Sequence, residues 1–167
     1  KVSYALFREQ EDTQGYLLLL QGIIERCGIP LAVYTDRHSV FGHSRHNSVE
    51  PHASPGVGKY TQFARALREL GVTQVFAHSP EAKGRVERTS GTFQDRLVAE
   101  LRLAGASTLA EANNVLREFV TQFNQRFGVP AAQPGFAYRE VPERLDIDGV
   151  ICVKEIRRVA RDNTVRY

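Results

Sequence analysis

The sequence predicts an α/β domain, a mixed sheet with flanking helices, and three patterns in its 167 residues carry that reading. Short apolar runs of strand length, LAVYT at 31–35 and VTQVFAH at 72–78, alternate with longer stretches whose apolar residues recur at helical spacing. Helix-stopping residues stand between them: Gly28 with Pro30, then Gly71, then Gly128-Val129-Pro130. A composition of 42% hydrophobic and 25% charged residues supplies enough apolar surface to bury a core.

Taken in order, residues 2–8 alternate as a half-buried strand would, with Tyr4 and Leu6 on one face and Ala5 and Phe7 on the other. The EDT segment at 11–13 offers a helix N-cap, and Asp12 is read in that capping role. Tyr16, Leu17, Leu20, Ile23, Ile24 and Cys27 then mark one helix face up to Gly28. With strand 31–35, this is expected to form a β-α-β crossover. Residues 42–59, rich in His, Ser, Gly and Pro, cannot bury enough surface to hold a fold and are expected to be a long loop. A short helix is expected at about 60–70, and a long one from about Glu81 to Leu103. A third opens on the Thr108/Glu111 capping box, with Leu116, Phe119, Val120, Phe123 and Phe127 facing inward. A Pro-containing linker is expected at 131–145, and two strands turning at Asp162-Asn163 in the tail.

Composition narrows the functional classes. The longest apolar stretch, YLLLL at 16–20, is far too short to span a bilayer, so a cytoplasmic location is expected, with no membrane partner. Cys27 and Cys152 lack any C-x-x-C spacing and are read as reduced, and His43, His46 and His52 have no cysteine partners for a zinc site. The net charge is +3 and the basic residues are mostly arginine, whose planar fork suits phosphate. A GC-rich genome would produce the same bias.

Two stretches carry candidate chemistry. LAVYTDRHSVF at 31–41 delivers a carboxylate, Asp36, at the end of an apolar strand, with His38 two residues on. HSPEAKGRVER at 78–88 sets Glu87 among Lys83, Arg85 and Arg88 in the first turns of the long helix. On that helix Val86, Phe93, Leu97, Leu101 and Ala104 form one stripe, Arg85, Arg88 and Arg96 a roughly opposite one, and Glu87 falls on the seam. The TDRHSVF segment and the S-P-x-x-K-G-x-x-E-R frame of residues 79–88 resemble the second Asp and the Glu of DDE-type transposases and retroviral-like integrases. The likeness is to bacterial insertion-sequence transposases in particular.

That resemblance implies a ribonuclease H-like core over residues 1–130, a linker at 131–145, and the start of a small β-barrel-like domain at 146–167. It implies that Asp36 and Glu87 are catalytic and hold a pair of Mg²⁺ or Mn²⁺ ions, while Lys83, Arg85, Arg88 and His38 contact DNA. Transposon ends and target DNA would be the partners, and the parent protein a homo-oligomer acting at the bacterial nucleoid. The family also has an earlier Asp on the first strand of the sheet, and the chain is expected to begin after it. Gln94 departs from the pattern, standing where many relatives carry a basic residue seven positions after the Glu. Two alternatives share these features: a non-catalytic DNA-binding or assembly fragment of a decayed transposase, and another ribonuclease H-like nuclease.

Overall fold

The structure is a computed structural model that describes residues 1–42, 60–77, 80–130, 135–155, 157 and 159–165, with the side chains of 80–86 and 88 set aside. The order of elements is α1 (Thr13–Cys27), β1 (Ile29–Pro30), β2 (Ala32–Thr35), α2 (Gln62–Glu69), β3 (Thr73–Phe76), α3 (Pro80–Leu103), α4 (Leu109–Phe127), β4 (Tyr138–Arg139) and α5 (Ile147–Val150). Helices and strands thus alternate through the first half as the sequence predicts. The expected loop at 42–59 lies outside the described residues apart from Gly42, as do His43, His46 and His52.

Local chemistry explains the helix ends. Asp12 caps α1 by accepting from the Gly15 N–H at 2.6 Å, and Thr108 with Glu111 forms a reciprocal capping box on α4. Gly28 ends α1 at φ 90°, a conformation that disfavours side chains, and a Cβ there would stand 2.5 Å from the Arg139 carbonyl oxygen. The chain can turn into β1 only because that Cβ is missing.

Two small sheets form. β2 and β3 run parallel in the register Ala32 to Thr73 through Thr35 to Phe76, with α2 between them in sequence. β1 pairs antiparallel with β4, joining Ile29–Pro30 to Tyr138–Arg139. The expected linker is therefore partly a strand, and Arg139 also donates to the Leu70 carbonyl at the end of α2.

Residues 2–8 correct the sequence reading, because among the described residues they pair with no strand, so the expected crossover through α1 is not seen there. Their backbone is held by side chains of α4 instead. Asn124 accepts from the Val2 N–H at 2.6 Å and donates to the Val2 carbonyl at 2.7 Å, and Asn113 does the same for Phe7 at 2.8 and 3.1 Å. The alternation holds for Ala5 and Phe7, which pack against the helices, and for Tyr4, whose ring fills the space left by Gly22 of α1, but it breaks at Val2, which packs with Ala5 and Phe7.

Two apolar cores result. One gathers Leu17, Leu20 and Ile24 of α1, Phe63 and Leu67 of α2, and Phe76 of β3, with Leu145, Ile147 and Val150 from the C-terminal part packed on it. The other joins Leu97 of α3 to Leu116, Phe119 and Val120 of α4, with Phe93 and Leu101 beside them. Ala104 departs from the expected stripe, lying exposed just past the end of α3.

The tail departs as well. The backbone turns where expected, with Asn163 at φ 58° and Ala160 bonded to the Thr164 carbonyl at 2.9 Å, but the described residues there form no strand. Residues 150–154 are clamped to α2: Arg65 donates to the carbonyls of Val150 and Cys152, and Gln62 bonds both the N–H and the carbonyl of Lys154. No helix among the described residues is long and apolar enough to cross a membrane.

Candidate active site

Asp36 follows directly on β2, at the carboxyl end of the parallel pair, where open α/β sheets commonly gather their functional groups. It is half-buried, and its Oδ1 accepts from the His38 N–H at 3.0 Å. That bond closes a tight turn over residues 36–38, so Asp36 shapes the loop that presents it. His38 is exposed, with its ring 6.5 Å from that of Phe41.

The loop is fixed from behind by residues that carry no motif. Gln74 of β3 donates to the Thr35 hydroxyl at 3.1 Å and to the Phe41 carbonyl at 3.0 Å, tying together the two ends of the segment that contains Asp36. Phe41 is buried and makes edge contacts with Tyr16 at 4.6 Å and Phe63 at 5.2 Å between ring centroids.

Tyr16 brings a second acid into this neighbourhood. Its hydroxyl donates to Glu11, and its pKa lies well above the ordinary phenol range. Burial is the largest cause, followed by the bond to Glu11 and the negative charges of Glu11 and Asp36. Tyr16 also lines an open cleft of about 270 Å³ with Leu6, Arg8, Glu11, Asp12 and Leu19. Gln74 was not detectable by pattern, since it acts through contacts 39 and 33 positions away, and the Tyr16–Glu11 bond, though only five positions apart, matches no capping or helical-pair pattern. The aromatic Tyr16 on the inner face of α1, half-buried in the structure, was the available signal.

Glu87 lies on α3 and is exposed. The backbones of Lys83, Arg85 and Arg88 share the same turns of α3, and their side chains lie outside the described residues. Carboxylates are suitable donors for a hard divalent cation. Among the described residues, no group of three or more His, Cys, Asp or Glu side chains is placed to hold a metal.

The geometry thus defines an α/β protein with a braced, half-buried carboxylate at the carboxyl end of its parallel strands. Its sequence relatives are transposases by name. The whole chain is 35% identical over 170 residues to transposase y4bF of Sinorhizobium fredii, and 74% of it is 39% identical to the transposase for insertion sequence IS1202 of Streptococcus pneumoniae. It spans 35% of the length of the first and 26% of the second. No protein-family model matches the chain, and no solved structure does either.

Proposed function

We propose that this chain is part of the catalytic core of a DDE-type transposase with a ribonuclease H-like fold, which cuts and joins DNA ends by attack on phosphodiester bonds. The observation that carries the reading is its likeness, over the whole chain to one protein and over 74% of it to another, to proteins named transposases, together with Asp36 at the end of a parallel strand and Glu87 on a following helix. Asp36 and Glu87 would hold Mg²⁺ or Mn²⁺. When bound, the metal supplies charge stabilisation and an activated oxygen nucleophile for phosphoryl transfer. The chain's own residues set the stage: the Gln74 brace and the Asp36–His38 turn fix one carboxylate, and Lys83, Arg85 and Arg88 approach DNA phosphates on the same turns of α3 as the other. DNA ends and target are the proposed partners, and the longer protein is proposed to work as a homo-oligomer.

The test separates binding from chemistry. Glu87→Gln should leave DNA binding within about twofold while abolishing Mg²⁺-dependent cleavage by the longer protein, because the substitution removes a metal ligand but no phosphate contact. Undiminished cleavage by that variant would overturn the assignment.

A further inference from the structure

Phe127 belongs to the face of α4 that turns Leu116, Phe119 and Val120 inward, yet it is 40% exposed. Two guanidinium groups share its ring: Arg96 of α3 lies 4.9 Å from the ring centroid and Arg126 of α4 lies 5.5 Å from it. The two cations therefore stand no more than about 10 Å apart, the sum of those distances. The stem of Lys1 runs beside the next residue, Gly128, where an added Cβ would stand 3.2 Å from Lys1 Cγ. The Asn124 side chain holds the adjoining Val2 backbone in place.

Among the described residues, neither Arg96 nor Arg126 has an acid within ion-pair distance. The negative end of the α4 dipole explains one cation in its last turn. It does not explain Arg96, which reaches the same ring from a different helix against the repulsion of Arg126. Like charges gathered on one aromatic ring without a counter-ion are an arrangement that an anion completes. Because the ring restrains both guanidiniums, less side-chain freedom is lost when the anion binds.

We propose that Arg96 and Arg126 on the Phe127 ring form a second contact for the DNA backbone, separate from the one at the start of α3. This rests on the DNA reading proposed above. Arg96 lies about 12 Å or more along the α3 axis from Arg88, Arg85 and Lys83. A duplex strand advances about 3.4 Å per phosphate, so the two sites contact phosphates several steps apart.

The experiment measures binding of the 167-residue chain to random-sequence duplex DNA against salt concentration. The double variant R96Q/R126Q is compared with R102Q/R117Q, which removes two arginines of the same helix pair away from the ring. The first should flatten the plot of log affinity against log salt by about two units, roughly 0.9 per lost contact, and the second should leave it nearly unchanged. Equal flattening by both would reduce the cluster to net charge and overturn the proposal. No change in R96Q/R126Q, alongside flattening by K83Q/R85Q/R88Q, would overturn it while the proposed function stands. Absence of DNA binding by the unsubstituted chain would overturn both. Binding to polyglutamate as tight as binding to DNA would point to an acidic protein partner and overturn the assignment to DNA.

Discussion

Residues 1–8 and residues 150–154 face the same problem and solve it with different chemistry. Among the described residues neither segment has a neighbouring strand, so its backbone polar groups need partners elsewhere. At the N-terminal segment the partners are two neutral amides, Asn113 and Asn124, each donating to and accepting from one residue. At the C-terminal segment they are charged: Arg65, itself only 9% exposed, donates to two carbonyls and pairs with Glu69, which also holds Lys154 at 2.7 Å. An amide needs no counter-charge and is indifferent to pH. The ionic clamp reaches more of the backbone from one side chain, and it depends on every partner keeping its charge.

The largest effect expected from this contrast is at Arg65. Arg65→Met should cost about 3 kcal/mol in denaturant unfolding, because it orphans the Val150 and Cys152 carbonyls and removes the more buried of the two cations that hold Glu69. A loss under about 1 kcal/mol would show that the clamp is peripheral to stability. Gly22→Ala comes next, at about 2 kcal/mol, since the new methyl would stand 2.4 Å from the Tyr4 ring. Adding it to Tyr4→Ala should cost little further, and a double-mutant cycle checks this.

Asn124→Asp is expected to cost about 1–2 kcal/mol at neutral pH, because it keeps the acceptor for the Val2 N–H but turns an anion toward the Val2 carbonyl. Acid should restore part of the loss by protonating the new carboxyl, and unfolding at pH 7 and pH 3.5 measures it. The unsubstituted chain should respond to acid at its other end. Burial pushes the Glu69 pKa up, but the bonds from Lys154 and Arg65 more than offset it and leave the carboxyl below its ordinary value. A lowered folded-state pKa contributes stability above the ordinary value of 4.5, and that contribution is lost as pH falls through the folded pKa. Hydrogen exchange at residues 150–154 should therefore accelerate below about pH 4, relative to global opening, more than at residues 2–7. The smallest effect belongs to Lys154→Met, about 0.5 kcal/mol for a partly exposed pair.

What could be read in advance follows the range of the interactions. The ends of α1 and α4 are written within a few residues, as Asp12 with Gly15 and Thr108 with Glu111, and both caps form as read. Alternation along residues 2–8 reads as a half-buried segment, and residues 2–7 are half-buried. It carries no information about what bonds the backbone, so a helix lined with asparagines could take a strand's place. The same distinction holds at the candidate site. Asp36 was legible because a strand end and a polar residue adjoin in sequence, whereas Gln74 braces it from 38 positions away. Phe127 was read as inward from its spacing alone, and its position in the last turn of α4 leaves it exposed beneath two arginines.

The two asparagines also act as a ruler. From Asn113 to Asn124 the helix rises about 16.5 Å, and the five residue steps from Val2 to Phe7 can reach about 16.5–18 Å when drawn out fully. The peptide is therefore stretched between two pegs with almost no slack. Deleting one residue from it would leave it too short to reach both pegs, and adding one would make it bulge. One residue added to the helix between the pegs would swing one asparagine about 100° around the axis. Length changes in either element are thus forbidden unless the other changes too, and among relatives that keep both asparagines the spans 2–7 and 113–124 should align without gaps.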